Sequence, residues 1–401
     1  MNNQLKVCIA GKNEIAVFGL HFLVKKLGKE NICVCLNSND ELSPSWQPSL
    51  RRHASHLGIK ILKLEELYDE DELIFISLEF DKIISPSKFN SNQLFNIHFS
   101  MLPKYKGMYT SCWPILNGEK NSGVTLHRID KGIDTGNIIA QLQVDISDEM
   151  TSRDLYLSYL KESKNLLENN IDSILLGTFS ERKQPAKNSS YFSKNSINFS
   201  SFSLDYRQTA ENICNQVRAY NFKEYQSVMI GTHKVLNGKI LSNSSSKKPG
   251  EHVLKNDRLV LSTIDYDVEF SVDRSMEIHD YIETNDVEKI LSLSKAETFD
   301  VNITNKDGWS PLIIAAFNGK LLLCKTLISL GADINQSNCN GTTPLMYALS
   351  SDVRANKFLI AELLIDHGAC IGAVDMFGLA AIDYATKKND HEIINFIKEL
   401  K

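Results

Sequence analysis

The stretch FNIHFSMLPKYKG, Phe95 to Gly107, decides how this chain is read. It closes an apolar run, sets an asparagine and a histidine two positions apart, and turns into a loop at Pro103. Residues two apart on a strand share one face, so Asn96 and His98 can reach the same atom. The preceding sequence supplies the context. LKVCIAG (5–11) is a short apolar run ending in glycine. EIAVFGLHFLVKKLG (14–28) spaces its apolar residues for a helix and stops at Gly28. NICVCLN (31–37) reads as a second strand, and a helix is predicted near Leu50 to Leu57. IKILKL (59–64) and DELIFISLEF (71–80) read as the third and fourth strands, and NQLFNIHFS (92–100) as the fifth. Strands alternating with helices predict an α/β unit, a parallel sheet with helices on its faces. Ligands of such sheets bind beyond the carboxyl ends of the strands, where Asn96 and His98 lie.

Bulk properties narrow the function. A chain of 401 residues has room for two or three cores, and 42% hydrophobic with 23% charged residues is ordinary globular composition. The net charge of −5 opposes a nucleic-acid binder, while leaving room for a local basic pocket. Eight cysteines show no CxxC spacing, which suits reduced thiols rather than a disulfide frame or metal site. No apolar run approaches the roughly 18 residues of a membrane span. The N-terminal MNNQLKVCIAGKNE is too short in its apolar part for a secretory signal, so a cytoplasmic protein is expected. The first strand–helix turn, AGKNEIAVFG, lacks GxGxxG, and NAD is not expected.

Beyond Gly177 the texture changes to a polar, Ser/Asn-rich segment. SLDYRQTAENICNQVRAYN (203–221) then has a helical period with Ile213 and Val217 on its apolar face. EYQSVMIGTHKVLNGKIL (224–241) and DRLVLSTIDYDVEFSV (257–272) read as short strands. The last part repeats. DGWSPLIIAAFNGK, NGTTPLMYALSS and FGLAAIDYATKKND align on Gly308, Gly341 and Gly378, at spacings of 33 and 37 residues. The four extra residues are expected in a loop at Asp352 to Asn356. This period resembles ankyrin repeats, with EIHDYIETNDVEKILSL (277–293) as a degenerate cap. The resulting division is 1–180, a Rossmann-like catalytic domain, 181–268, a small α+β domain, and 269–401, an all-α ankyrin stack.

A third piece joins Asn96 and His98. In HRIDKGIDTGNII (127–139), Asp130 and Asp134 flank a loop carrying Gly132 and Gly136. Together with ISLEFDKIIS (76–85) and CWPILNGEKNSGVTLHRIDKGIDTGNII (112–139), these motifs resemble the formyltransferases that draw a formyl group from 10-formyltetrahydrofolate. The resemblance implies an Asn–His–Asp triad at Asn96, His98 and Asp134. Asn96 and His98 would donate hydrogen bonds to an oxyanion, the kind of stabilisation worth about 3–4 kcal/mol per donor. Asp134 would orient His98, favour its cationic form and accept a proton from the attacking amine. No metal is needed. The folate would be held around Leu78, Glu79, Phe80 and Lys82, with Asp130 and Gly132 opposite. Its ring would enter the slot formed by Met101 and Leu102, near Met108. YKGMYT departs from the family's usual Arg-Gly, so Lys106 would replace an arginine beside Tyr105.

The second domain resembles that of bacterial sugar N-formyltransferases acting on dTDP-linked amino sugars. Lys194 and Arg218 would meet the pyrophosphate. Tyr220, Phe222 and Tyr225 offer faces to thymine, and Asn221 and Gln226 offer edges. The family commonly dimerises here. Members with an appended ankyrin domain are associated with dideoxy amino sugars of the O-antigen of lipopolysaccharide. The expected substrate is dTDP-3-amino-3,6-dideoxyglucose, with the 4-amino isomer as rival. The ankyrin domain would bind a protein, or a second nucleotide at Trp309, Asn318 and Tyr347. Rival readings are an ankyrin adaptor with an inactive formyltransferase-like half, and formylation of methionyl-tRNA or of glycinamide ribonucleotide. The charge of −5 speaks against the tRNA.

Overall fold

The structure is a computed structural model that describes residues 6–42, 45–255, 257–296, 298–353 and 356–399. Two compact units result: Met1–Leu42 with Pro48–Ser271, and Ser43–Gln47 with Val272–Lys401.

The first unit is built on β1 (Lys6–Gly11), β2 (Ile32–Leu36), β3 (Lys60–Ile61), β4 (Leu73–Leu78) and β5 (Gln93–His98), all parallel. These are the strands read from the sequence. A two-residue β6 (Lys106–Gly107) follows, then β7 (Asn121–Arg128) and β8 (Ile138–Asp145). β7 and β8 join antiparallel and complete a seven-stranded sheet of order β3-β2-β1-β4-β5-β7-β8. The sheet is therefore parallel over five strands and antiparallel at one edge. The switch places β7 against β5 and brings a second strand beside Asn96.

Helix α1 (Asn13–Leu27) starts immediately after Gly11, where an added Cβ would fall 1.8 Å from the Leu78 carbonyl oxygen. Only glycine lets β1 and β4 end side by side there. Helix α2 (Leu50–Leu57) is capped by Ser49 and stopped by left-handed Gly58. After α3 (Trp113–Leu116), the long α4 (Ser152–Leu176) begins with a reciprocal Thr151–Asp154 cap. Its buried Tyr159 donates to Ser122 Oγ at 2.6 Å, tying α4 to β7.

The short β9 (Tyr191–Phe192) pairs with β6, so the polar segment after residue 177 returns to the catalytic sheet's loops. Helix α5 (Ala210–Tyr220) then packs on a five-stranded sheet of β10 (Met229–Ile230), β11 (His233–Ser244), β12 (His252–Lys255), β13 (Arg258–Leu261) and β14 (Tyr266–Val272), ordered β10-β11-β14-β13-β12.

Among the described residues the second unit holds four helix pairs: α6 (Glu277–Glu283) with α7 (Val287–Leu293), α8 (Pro311–Phe317) with α9 (Leu321–Ser329), α10 (Pro344–Ser350) with α11 (Lys357–Asp366), and α12 (Ala381–Lys387) with α13 (His391–Glu399). Ser310 and Thr343 cap α8 and α10, each followed by proline at the first turn. The third repeat has Ala380 there, and Asp383 reaches back to its N–H instead. One apolar cluster runs from Ile278 to Ile397 through all four pairs. The insertion read at Asp352–Asn356 falls between α10 and α11, with residues 354 and 355 outside the described residues. Trp46 N–H donates to the Lys306 carbonyl at 3.0 Å, which explains why residues 45–47 group with this unit. Among the described residues no helix is long and apolar enough to cross a membrane.

Candidate active site

The site forms where β5 ends. Asn96 pairs in register with Ser77 of β4 on one side and His127 of β7 on the other, while His98 lies opposite Thr125. Asp134 comes from the loop between β7 and β8 with left-handed backbone, φ 54°. That conformation is costly for a residue with a Cβ, and the surroundings hold it there. Gly136 closes the turn where a Cβ would meet the Arg128 carbonyl oxygen at 1.8 Å. Gln184 Nε2 donates to the carbonyls of Asp134 (2.9 Å) and Gly136 (2.8 Å). Asp130 Oδ1 accepts from Gly132 N (3.0 Å) and Thr135 Oγ1 (2.6 Å).

The three residues read from the sequence converge. Asp134 Oδ1 lies 3.4 Å from Asn96 Nδ2 and 3.5 Å from His98 Nδ1, an ion-pair geometry when the ring is protonated. His127 Nε2 is 3.7 Å away, and Asp134 Oδ2 accepts the Gly107 N–H at 2.9 Å. Burial by itself would raise the Asp134 carboxyl. The charge of His98, with the Gly107 N–H beside it, opposes that burial, and the group is held well below the usual carboxylate range.

The donors are not aimed outward, as the sequence reading expected. His98 Nε2 donates to the Tyr105 carbonyl at 2.9 Å, and Asn96 Nδ2 is engaged by His127 and Asp134. The physical reason is pairing. Buried polar groups take the partners within reach, and loop 101–108 brings one.

The neighbouring residues sort by what they touch. Leu78 is buried at the end of β4, and Leu102 is buried beside half-exposed Met101 and exposed Met108. Half-buried Phe80 packs edge-on to Phe75, and Lys82 is exposed. The Glu79 carboxylate accepts from Tyr156 (3.1 Å to each oxygen) and Asn13 (3.3 Å). Burial pushes it up to about 7. Half-buried Asp130 braces the Asp134 loop through the Gly132 N–H, and Gly132 is exposed. Tyr105 turns its hydroxyl to Glu119 (2.8 Å) and Asn117 (3.1 Å), and Lys106 Nζ reaches Ser189 Oγ at 3.1 Å.

Several residues read as nucleotide contacts serve the fold instead. Buried Arg218 donates to the carbonyls of Ser147 (2.8 Å) and Met150 (3.1 Å) and to Asn215 Oδ1 (2.6 Å). Its place on the inner face of α5 makes it a tie to the loop before α4, not an open cation for a pyrophosphate. Asn221 donates to the Val235 carbonyl (2.9 Å) and accepts from Val228 N (2.8 Å), so its edge is used as well. Tyr220 packs at a tilt on Phe202, with ring centroids 3.8 Å apart, and Phe222 is buried against Tyr156. Gln226 closes a tight turn onto Phe222. Lys194 and Tyr225 are exposed.

In the repeats, half-buried Trp309 packs on Tyr347 (4.8 Å) and Phe317 (5.4 Å), while Asn318 is exposed beside them. Its indole Nε1 is shielded and has no hydrogen-bond partner among the described residues.

Two residues at the site were not singled out in the sequence. His127 carried a usable signal, since Thr125 and His127 alternate with Val124 and Leu126 and therefore share one face of a strand. Gln184 carried none. Among the described residues no group of three or more His, Cys, Asp or Glu is placed to hold a metal ion.

The formyl transferase family model matches residues 62–171, and a model of three ankyrin repeats matches 278–375. The solved structure of WlaRD, a sugar 3N-formyl transferase in the presence of dTDP and 5-N-formyl-THF, is 43% identical. It aligns with a TM-score of 0.63 over 67% of this chain and 98% of its own. The chain belongs to the formyltransferase family. A formyltransferase from Helicobacter canadensis, solved with folinic acid and dTDP-3-aminofucose, is 42% identical over 67% of this chain and all of its own, also at 0.63. The curated bifunctional polymyxin resistance protein ArnA of Wigglesworthia glossinidia brevipalpis is 31% identical over 54% of this chain and 34% of that protein. This formyltransferase thus spans about a third of that relative's length.

Proposed function

We propose that the protein transfers a formyl group from 10-formyltetrahydrofolate to the amino group of a dTDP-linked amino dideoxy sugar. The best candidate is dTDP-3-amino-3,6-dideoxyglucose, a step toward the O-antigen of lipopolysaccharide, with the 4-amino isomer as alternative. The convergence of Asn96, His98 and Asp134 around one carboxylate oxygen carries the reading. Two relatives solved with dTDP or a dTDP-3-amino sugar support the nucleotide and favour carbon three.

The donor set fits a formylated folate. Beside the triad, the turn after β4 is held open by Glu79 in left-handed backbone (φ 59°), with Asn37 Nδ2 on its carbonyl at 2.8 Å. Backbone of residues 78–82 and the apolar side of Leu102 would hold the ring. The folate supplies an activated formyl carbon. Asp134, ionised at neutral pH, would take the proton that leaves the attacking amine, directly or through His98, and pass it on to N10 of the folate as the bond from the formyl carbon to N10 breaks and tetrahydrofolate departs. His98 and Asn96 exchange their present partners for the formyl oxygen as it gains negative charge. Exposed Lys194 and half-buried Lys106 are the cations for the pyrophosphate.

The test is mass spectrometry of product after incubation with 10-formyltetrahydrofolate and a panel of dTDP-amino sugars. Gain of one formyl group on the 3-amino sugar is expected. No transfer to any dTDP-amino sugar contradicts the reading.

The segment 181–268 is assigned to nucleotide-sugar binding and homodimerisation, supported by the exposed Val253 and Leu254 on edge strand β12. Light scattering at micromolar concentration tests the dimer. The free cysteines agree with a cytoplasmic setting. The ankyrin repeats are read as a protein-binding stack, with a second nucleotide site at Trp309, Asn318 and Tyr347 as the alternative. Calorimetry with dTDP on Trp309→Ala should lose one site per chain, and unchanged stoichiometry removes that idea.

A further inference from the structure

His127 is 1% exposed and sits on β7 directly opposite Asn96. Its Nδ1 lies 2.7 Å from the Arg128 carbonyl oxygen. A carbonyl only accepts, so Nδ1 carries the proton, and in the neutral ring Nε2 is a lone-pair acceptor. That acceptor lies 3.1 Å from Asn96 Nδ2. The amide nitrogen has two hydrogens. One goes to His127, and the other spans 3.4 Å to Asp134 Oδ1. The first bond is set by strand register and by the Arg128 carbonyl behind the ring. The second is long, and a long bond is the easier one to exchange.

A carboxamide turns readily about its last torsion. Without an anchor, Asn96 can present its oxygen where its N–H is needed, and two acceptors facing one another repel. Which end faces the reacting carbonyl is therefore decided by what holds the other side.

Resting on the assignment of Asn96, His98 and Asp134 to formyl transfer, we propose that His127 is a positioning residue for that reaction. It anchors one hydrogen of the Asn96 carboxamide so that the other swings from Asp134 to the formyl oxygen. His127 itself touches neither substrate, and it acts only through Asn96.

The test is a double-mutant cycle in single-turnover formyl transfer by the full chain, with His127→Leu, Asn96→Ala and the pair. His127→Leu lowers the transfer rate by about 10²-fold through misplacement of the donor, with KM for both substrates changed little. The pair reacts no more slowly than Asn96→Ala alone, because the two act as a unit. His127→Gln, which can donate to Arg128 and accept from Asn96, recovers most of the rate. A full rate in His127→Leu, or losses that multiply in the pair, overturns the proposal. NMR of the wild-type imidazole needs no variant to fold. It should show the neutral ring protonated at Nδ1, and a proton on Nε2 instead contradicts the anchor. A wild-type rate in Asn96→Ala would sink the reading of the site itself. An inactive Asn96→Ala beside a fully active His127→Leu sinks only the role of His127.

Discussion

The carboxyl end of β5 and the end of α5 carry similar side chains and put them to opposite uses. At the carboxyl end of β5, Asn96, His98 and Asp134 turn toward one another over contacts of 3.4–3.5 Å, while His98 Nε2 and Asp134 Oδ2 also hold 2.9 Å bonds to the Tyr105 carbonyl and the Gly107 N–H. At α5, Arg218 and Asn221 make bonds of 2.6–3.1 Å to backbone and to Asn215. A residue's type states which bonds it can make. Burial and neighbours decide whether a ligand or the fold receives them. The loosely held group can exchange partners during a reaction.

Substitutions can break this contrast or sharpen it. The largest effect is expected at β5. His98→Ala should lower kcat roughly 10²–10³-fold, as for loss of one oxyanion donor, while the chain still folds and binds dTDP. Arg218→Met should do the reverse. It leaves the Ser147 and Met150 carbonyls without their donor and costs roughly 2–3 kcal/mol in urea unfolding, with the rate per folded molecule little changed. If Arg218→Met instead loses nucleotide binding at normal stability, the contrast fails.

Glu79 tests a third situation, a half-buried carboxyl held by Tyr156 and Asn13. Its folded value is about 7, above an unfolded value of about 4.3, so the folded chain holds this proton more tightly. Stability is therefore lost as pH rises across that window. Glu79→Gln should stabilise the protein at pH 8 by on the order of 2 kcal/mol, allowing for the side chain's partial exposure, and by nothing at pH 4. Equal gains at both pH values would contradict desolvation of the carboxylate as the cause. The smallest effect is expected at exposed Lys194. Its alanine variant should raise KM for the nucleotide sugar roughly tenfold, or about 1.4 kcal/mol, without moving the melting temperature.

Much of the fold was legible because it rests on periodic signals. β1 to β5 and α1 follow from apolar runs and helical spacing. The repeats follow from glycines that the backbone requires: Gly308, Gly341 and Gly378 all have φ between 73° and 77°. The antiparallel β7 and β8 were hidden, since a segment dense in motif residues reads as loop. Missing β7 concealed His127. Asn96, His98 and Asp134 were legible through motif order. Gln184 was not, because a glutamine in a polar segment has no local pattern to mark it. Arg218 and Asn221 misled because their polar groups face inward and are spent on backbone, which residue type alone does not reveal.

The most direct test of the central claim compares wild type and Asp134→Asn for transfer of formyl from 10-formyltetrahydrofolate to dTDP-3-amino-3,6-dideoxyglucose. Both proteins are checked for folding and dTDP binding, and product is read by mass spectrometry. Wild type should yield a formylated sugar, and the variant should react more slowly by at least about 10²-fold, with nucleotide affinity retained. Equal rates in the two proteins would mean that this carboxylate does not sit at the reacting carbonyl.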